Sequence, residues 1–369
     1  MTRPLRAVID LAALRHNYRQ AAQCAPQAKL LAVLKANAYG HGAVACAHAL
    51  ADNAPAFGVA CIEEALALRE SGIRRPIALL EGLFDLEELL LIEREQLWPV
   101  LNQVWQVDAI LNMRPQAPIT VWLKLDSGMH RLGLSPEAFL VQWRRLAACP
   151  HVTGVHLVTH FATADGDTEH EQHYYHRQRQ CAEHVASRLR QEGHVVPTCL
   201  ANSPATLSGL AAGQWHRPGV MLYGVDPRIK QSPSHVLKPV MTLESRLIAI
   251  RDIAAGESVG YGGRYVAPHT MRIGVVACGY GDGYDRHARE GTPVLVDGEL
   301  AQVVGRVSMD MLTVDLSQVP APSLESRVVL WGDNLPIETV AAHCETISYT
   351  LMTGVAQRVP RIYIDAQDP

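Results

Sequence analysis

The stretch Val33–Gly42 carries the residues of this chain that are best suited to covalent chemistry. It places Lys35 directly after Leu30–Leu34, an apolar run that is typical of a short buried strand. A lysine at the end of a buried strand is partly desolvated, which lowers the pKa of its amine. Such an amine is a candidate for forming a Schiff base or for carrying a proton.

The residues that follow favour a ligand with a phosphate group. Gly40 and Gly42 allow a backbone to approach a ligand closely, and an Ala-rich helix is predicted over Ala43–Leu50. The amino end of a helix is suited to phosphate binding. Together with Lys35 and Tyr39, this turn suggests pyridoxal 5′-phosphate as the cofactor. A lysine that only extends its amine to solvent is the structural alternative.

The composition predicts an enzyme without nucleic-acid or membrane partners. Hydrophobic residues make up 48% of the 369 residues, enough for a large core, and the length suggests about two domains. The formal net charge of −4, without a Lys/Arg-rich run, argues against a nucleic-acid binder. There is no signal-peptide core and no apolar run near the roughly 20 residues that cross a membrane. The eight cysteines are scattered, so we expect reduced thiols, no zinc site and a cytoplasmic location.

The first two-thirds of the chain alternate apolar strands with amphipathic helices, among them Ile62–Glu70, Leu86–Arg94 and Glu169–Glu192. Eight such units over about 230 residues predict a closed (β/α)8 TIM-type barrel, with a doubly wound open sheet as the alternative. The predicted barrel strands are Leu30–Leu34, Phe57–Ala60, Ile77–Leu80, Trp98–Leu101, Ile119–Leu125, Val152–Thr159, Thr198–Ala201 and Arg217–Tyr223.

Beyond residue 230 the pattern changes to consecutive strands. Ile229–His235 is predicted as a linker, so we place the barrel domain at residues 1–232 and a mostly β domain at 233–369. Asp297–Gly298 is typical of a two-residue hairpin turn. The strand at Arg6–Ile9 is assignable to either domain. The predicted strands of the second domain are Met241–Ile250, Met271–Cys278, Pro293–Val296, Leu300–Ser308, Leu312–Leu316 and Arg327–Trp331.

Unusual polar residues recur where predicted barrel strands end. In a (β/α)8 barrel the catalytic groups lie at these carboxyl ends, so we expect the residues to converge. They are Lys35, Lys124, Asp126, His160, Asn202 and Ser203, with Arg217 and Gly219 on the eighth strand.

Nine segments, in order along nearly the whole chain, give it a resemblance to the alanine racemases. They are Leu34–Gly42, Leu123–Gly133, Thr159–Ala162, Ala201–Ser203, Arg217–Gly224, Val259–Gly262, Gly279–Gly283, Gly305–Asp310 and Ile347–Tyr349. The resemblance implies a pyridoxal-phosphate-dependent isomerase with a barrel and a β domain. It would interconvert L- and D-alanine, to supply D-alanine for peptidoglycan or to return it to catabolism.

The resemblance also implies the catalytic groups. Lys35 would hold the cofactor as a Schiff base and then serve as one acid/base, and Tyr261 would be the second base on the opposite face. His160, in contact with Arg217, would assist Tyr261, because an unassisted tyrosine is a weak base. Tyr261 would come from the partner chain of a head-to-tail homodimer. An interface tyrosine that merely packs is the alternative.

Further roles follow from the same resemblance. Arg217 would face the pyridine nitrogen, and Arg131 the phenolic oxygen and the substrate carboxylate. Lys124 matches a lysine that is carbamylated in many relatives, with an ordinary Lys124–Asp126 surface pair as the alternative. The phosphate would be bound by Tyr39, Ser203, Gly219, Val220 and Tyr349. The substrate would also contact Met309 and Asp310, and the access corridor would include Tyr280, Arg306 and Asp165.

Several rival interpretations stay open from sequence. A racemase of broader preference, such as one for serine, differs only by a few corridor contacts. A decarboxylase would need an acidic residue in place of Arg217, and a non-enzymatic pyridoxal-phosphate carrier would lack the β domain with Tyr261. The i, i+3, i+6 spacing of His170, His173 and His176 is better explained by a solvated helix face than by a metal site.

Overall fold

Eight parallel strands close into a barrel, in the order in which they occur along the chain. The structure, a computed structural model, describes residues 3–209, 213–228 and 237–365. After β1 (Arg6–Asp10), the barrel strands are β2 (Lys29–Val33), β3 (Ala56–Val59), β4 (Ile77–Leu79), β5 (Trp98–Leu101), β6 (Ile119–Lys124), β7 (Val152–Val158), β8 (Thr198–Ala201) and β9 (Trp215–His216). The predicted closed barrel is confirmed, and the open-sheet alternative is wrong.

Helices follow the strands on the outside of the barrel. The segments are α1 (Leu11–Cys24), a left-handed turn α2 (Lys35–Tyr39), α3 (Ala43–Leu50), α4 (Ile62–Glu70), α5 (Glu88–Arg94), α6 (Val104–Asn112), α7 (Pro136–Ala147), α8 (Glu169–Gln191) and α9 (Ser203–Leu207). Asp10 caps α1, since its carboxylate accepts hydrogen bonds from the amides of Ala12 and Ala13.

The eighth barrel strand was placed too far along the chain. The predicted strand Arg217–Tyr223 is wrong, because β9 covers only Trp215–His216 and Val220–Tyr223 form a 3₁₀ turn. Pro218 has no amide hydrogen to donate to a ladder, and Gly219 begins the turn. The predicted linker Ile229–His235 lies outside the described residues.

The second sheet combines both ends of the chain. Its order is β13-β16-β15-β14-β17-β10-β1-β18, in which β1 pairs antiparallel with β10 and parallel with β18. The strands are β10 (Met241–Ile253), β11 (Ser258–Val259), β12 (Tyr265–Val266), β13 (Met271–Val276), β14 (Pro293–Val296), β15 (Glu299–Val303), β16 (Leu312–Asp315), β17 (Arg327–Trp331) and β18 (Arg361–Ile364), with β11 and β12 in a separate ribbon. The hairpin turn is confirmed, with φ 52° at Asp297 and 89° at Gly298.

Two helices of the second domain were not predicted, α10 (Ile337–His343) and α11 (Ser348–Gly354). One apolar core runs through barrel and sheet, and a small satellite of Val259, Ala267, Met271, Ile273 and Val304 supports the β11–β12 ribbon. Within the described residues, none of the helices is both long and apolar enough to cross a membrane.

Candidate active site

A cavity of about 550 Å³ opens at the carboxyl ends of the barrel strands. Lys35 follows β2, Lys124 ends β6, His160 follows β7, and Arg217 follows β9. The predicted site residues that line this cavity are Lys35, Tyr39, Lys124, Arg131, His160, Asp165, Ser203, Arg217, Gly219, Val220 and Tyr349. The fold therefore brings together residues from six distant parts of the sequence, five of them in the barrel and one, Tyr349, in α11 of the second domain.

The turn α2 carries Lys35 and Tyr39 in an unusual backbone conformation. Residues 36–39 all have φ between 52° and 54°, although none of them is glycine. A left-handed residue with a side chain is unfavourable by about 1–2 kcal/mol, so surrounding contacts must hold this turn. The carboxylate of Glu64 accepts hydrogen bonds from Ala36 N at 2.7 Å and from Ala60 N at 2.8 Å. Glu64 was not predicted as part of the site.

The proposed role of Gly40 and Gly42 in approaching a ligand is wrong. A Cβ atom on Gly40 would lie 2.2 Å from the carbonyl oxygen of Met352, and one on Gly42 would lie 1.9 Å from the hydroxyl of Tyr363. Both glycines therefore allow the barrel to pack closely against the second domain. The amide of Ala43, at the start of α3, donates to Asn37 Oδ1.

The cavity concentrates positive charge. Burial, followed by the charge of Arg131, lowers the pKa of the Lys35 amine, and burial with Arg217 lowers that of Lys124 to about 8. Burial and Arg217 also hold the pKa of His160 well below its usual value, so its ring is neutral near pH 7. An anionic ligand would relieve this repulsion.

Arg217 is buried and fixed by backbone acceptors. Its Nη1 donates to the carbonyl oxygen of Cys199 at 2.6 Å and to the Cys199 thiol at 3.0 Å, and its Nη2 donates to Thr159 O at 2.6 Å. These bonds tie the guanidinium to the ends of β7 and β8. Within the described residues, no carboxylate forms an ion pair with it, so its positive charge remains available to the cavity.

The far end of the cavity has the form of an anion cradle. Buried Ser203 accepts a hydrogen bond from the Gly219 amide at 2.8 Å, which places its hydroxyl beside the turn at Val220. A Cβ atom on Gly219 would lie 2.7 Å from Tyr39 Oη, so glycine is needed for this close approach. The rings of Tyr39 and Tyr349 lie 6.0 Å apart between centroids. Hydroxyls and amides thus converge where a phosphate would fit.

The Lys124–Asp126 surface pair is wrong. Asp126 Oδ1 instead accepts hydrogen bonds from Gly128 N at 2.9 Å and His130 N at 3.0 Å, and its other oxygen contacts the His130 ring. Lys124 turns into the cavity, beside Arg131 and His160.

Five predicted site residues lie outside this cavity, on the second domain. Tyr261 begins a 3₁₀ turn between β11 and β12 and is 71% exposed. Arg306 lines a separate cavity of about 780 Å³ with three other arginines. That cavity contains none of the barrel residues described above, so we assign the chemistry to the smaller one. The other three residues are Tyr280, Met309 and Asp310, all exposed.

The sequence matches two family models that together span most of the chain. The model described as alanine racemase, N-terminal domain, matches residues 9–227, and the model described as alanine racemase, C-terminal domain, matches residues 240–363. An alanine racemase of Chromohalobacter salexigens is 60% identical over 370 residues, which cover 100% of each chain.

Two proteins of Pseudomonas aeruginosa extend this comparison. A protein named alanine racemase, catabolic, is 50% identical over 366 residues, covering 99% of this chain and 100% of the relative. The crystal structure of the biosynthetic alanine racemase is 45% identical and superimposes with a TM-score of 0.92, covering 98% of this chain and 100% of the other. The chain thus resembles enzymes named for both metabolic directions.

Proposed function

The chain belongs to the alanine racemase family, and from this premise we propose how its own residues interconvert L-alanine and D-alanine. The family depends on pyridoxal 5′-phosphate. We assign proton transfer at the substrate Cα to Lys35 on one face and to Tyr261 on the other. The observation that carries this assignment is the barrel cavity that gathers Lys35, Arg217 and the Ser203–Gly219 cradle.

The residues present fit this cofactor. Lys35 would bind it covalently, Arg217 would donate to its ring nitrogen, and Arg131 would contact its phenolic oxygen. The phosphate would occupy the cradle formed by Tyr39, Ser203, Gly219, Val220 and Tyr349. Two observations support this fit. Within the described residues neither Arg131 nor Arg217 forms an ion pair with a carboxylate, so both charges are available to a ligand. There is no room for a side chain at Gly219, so its backbone can lie close to Tyr39.

Racemisation needs one proton removed from one face of Cα and another proton added to the opposite face. When bound, pyridoxal phosphate supplies the electron sink that acidifies this hydrogen. The lowered pKa of Lys35 leaves more of its amine neutral, so Nζ is a competent proton acceptor. The phenol oxygen of Tyr261 is a weak base alone, so we assign His160 to assist it. When Lys35 Nζ accepts the Cα proton, the Tyr261 phenol would donate its proton to the opposite face, and in the reverse direction the two groups exchange roles.

Arg217 restricts the outcome to proton exchange. A guanidinium stays protonated and can only donate, so Arg217 would keep the ring nitrogen of the bound cofactor unprotonated. The carbonyls of Thr159 and Cys199 hold it at this position. A decarboxylase would use an acidic residue here.

A homodimer supplies the second base. Tyr261 is outside the cavity of its own chain and is 71% exposed, and Met309 is 55% exposed on the same domain. We assign both to the cavity of the partner in a head-to-tail dimer. Tyr280, Arg306 and the partner's Asp165 would then line the access corridor, and Met309 and Asp310 would contact the substrate carboxylate.

Lys124 is assigned as the carbamylated lysine. A pKa of about 8 leaves enough neutral amine at cellular pH to react with CO2, and the product anion would neutralise part of the charge around Arg131. With ¹³C-bicarbonate, we expect a carbamate carbon signal at pH 8 that disappears in Lys124→Gln.

The decisive experiment mixes two inactive variants. Lys35→Ala and Tyr261→Phe should each reduce racemisation to background as homodimers. In mixed dimers one site combines the intact Lys35 of one chain with the intact Tyr261 of the other. Because half of randomly assembled dimers are mixed and one of their two sites is intact, about a quarter of the wild-type activity should return. Mixing each variant with itself is the control.

Two outcomes would contradict the assignment. Full activity of Tyr261→Phe would remove it as a base, and failure of the mixed dimers to recover activity would place both bases in one chain. Assaying the wild type against alanine and serine in the same run tests substrate breadth, since a small pocket rejects an added hydroxyl weakly.

We also assign the enzyme to the cytoplasm. The eight cysteines are free thiols, four of them buried, as is typical of a reducing compartment. Recovery of the racemase with periplasmic rather than cytoplasmic markers on cell fractionation would overturn this location.

A further inference from the structure

Asp282 is a fully buried carboxylate outside the barrel cavity. It lies in the Gly279–Gly283 loop and accepts hydrogen bonds from Arg3 Nη2 at 2.7 Å, Arg358 Nε at 2.8 Å and Gly279 N at 2.9 Å. A second nitrogen of Arg3 also contacts it. Burial opposes ionisation, but the hydrogen bonds from Arg3 and Gly279 outweigh it and lower the pKa of Asp282.

The same two arginines also reach a second loop. Arg358 Nη2 donates to Asp310 Oδ1 at 2.7 Å, and Arg3 Nη2 donates to Asp310 O at 2.8 Å. Each arginine therefore bridges the loop of Asp282 to the loop of Asp310. We call this set of four residues, Arg3, Arg358, Asp282 and Asp310, the arginine clamp.

Backbone hydrogen bonds join the two loops beside the clamp. Tyr280 N donates to Ser308 O at 3.0 Å, and Gly281 N donates to Met309 O at 2.8 Å. A Cβ atom on Gly279 would lie 2.2 Å from Ser308 O, so only glycine permits this approach. The loops consequently form one rigid unit.

The clamp joins the two ends of the chain. Arg3 lies shortly before β1 and Arg358 shortly before β18, and these strands are parallel neighbours with Ala7 opposite Arg361. Both arginines therefore lie at the same end of this strand pair. Arg3, near the amino end of the chain, therefore helps to support two loops that are distant from it in sequence.

The unit presents apolar side chains to the exterior. Tyr280 is 39% exposed, Met309 55% and Met311 44%. Both arginines are more than a third exposed, so their ion pairs contribute little to stability, and the value of the clamp is that it fixes one arrangement around buried Asp282. An arrangement fixed this firmly around exposed side chains indicates that their position matters for a contact beyond the chain.

We propose that the arginine clamp positions Tyr280 and Met309 against the active site of the partner chain. This inference rests on the proposed function, in which those residues complete that site. Arg3 and Arg358 are then positioning residues for racemisation, although neither touches the substrate.

The test places a clamp variant in one chain of a mixed dimer. The only working site takes Lys35 from the Tyr261→Phe chain and Tyr261 from the Lys35→Ala chain. Arg3→Ala added to the Lys35→Ala chain breaks the clamp that faces the working site, and we expect kcat/KM to fall about tenfold. Arg3→Ala added to the Tyr261→Phe chain faces the dead site and should leave kcat/KM unchanged.

Arg3→Ala leaves Asp282 paired with Arg358, so the domain should remain folded. Arg358→Ala is the second variant, and Arg272→Ala, which breaks an exposed pair with Asp252 in the same domain, is the control. Equal kcat/KM in both placements would overturn the clamp's role, as would a loss confined to the dead-site placement. If unmodified mixed dimers are inactive, the proposed function itself fails.

Discussion

At the scale of single residues, the barrel cavity is organised by positive charge. Lys35, Lys124, Arg131 and Arg217 line it together with a His160 that burial and these charges keep neutral. Each cation lowers the pKa of its titratable neighbours, so a larger fraction of the Lys35 amine is neutral and the pKa of Lys124 is lowered to about 8. The same crowding selects for a ligand that brings negative charge, which a phosphate and a substrate carboxylate both do.

A second buried histidine predicts acid sensitivity. His41 is completely buried and stacks on Tyr223 at 4.5 Å, and its Nδ1 donates to Ala38 O at 2.9 Å. Burial lowers its pKa to about 4 from 6.5. The unfolded chain therefore binds a proton at this histidine near pH 6.5, whereas the folded chain binds it only near pH 4. The contribution of His41 to stability is complete above pH 6.5 and decreases as the pH falls toward 4.

Between pH 7 and pH 5, this group should lower the free energy of unfolding by about 2 kcal/mol. In His41→Asn that share of the pH dependence should disappear, as measured by urea unfolding at one protein concentration. His287→Asn, at a histidine whose side chain is 85% exposed, is the control. An unchanged pH dependence in His41→Asn would show that other groups govern the acid response.

At the scale of elements, the turn α2 shows how tertiary contacts override local preference. Four consecutive left-handed residues hold Lys35 and Tyr39 toward the cavity. The carboxylate of Glu64, at the start of α4, compensates by accepting from Ala36 and Ala60. The turn and its support therefore come from different βα units.

Removing this support should loosen the cofactor site. Glu64→Ala deletes two hydrogen bonds to a charged group, each worth about 1.5–3 kcal/mol, and we expect the affinity of the apoenzyme for pyridoxal phosphate to fall at least about tenfold. Fluorescence titration of the apoenzyme measures this change. Glu63→Ala, at the exposed neighbour, is the matched control. Equal affinity in both variants would mean that the turn α2 keeps its conformation without the carboxylate of Glu64.

Elements with a regular apolar pattern were predictable, and irregular ones were not. Trp98–Leu101, Thr198–Ala201 and α3 match their predicted bounds. The run Arg217–Tyr223 has the apolar content of a strand but folds as a turn, because Pro218 and Gly219 interrupt the ladder. The left-handed turn has no local signal either, since Ala-Asn-Ala-Tyr contains no glycine.

The site was predictable to the extent that its residues follow strands. Lys35, His160 and Arg217 converge because parallel strands of a barrel end on one face. Glu64 was missed because a glutamate in the first turn of a helix is ordinary. The clamp was missed because the partners of Asp282 lie 279 and 76 residues away.

At the scale of the whole molecule, the proposed function divides one active site between two chains. Every group assigned to the cofactor lines the cavity of one chain, whereas Tyr261 is exposed on the second domain. The division implies that a monomer would bind pyridoxal phosphate and yet fail to racemise. Exposed Met309 and Met311 lie beside the clamp, on the face that we assign to the partner.

Met311→Asp should therefore separate cofactor binding from racemisation. A carboxylate buried at a contact between chains is unfavourable by several kcal/mol, so we expect a monomer of 40.4 kDa that retains the cofactor but has lost most racemase activity. Light scattering after gel filtration gives the mass, and absorption of the bound cofactor gives occupancy. Leu324→Asp is the control, because Leu324 is similarly exposed (55%). Leu324 lies near the start of β17, whereas Met311 directly precedes β16, and these two strand starts are at opposite ends of the sheet. A fully active dimeric Met311→Asp would place the interface elsewhere, and a monomer that retained activity would show that each chain carries both bases.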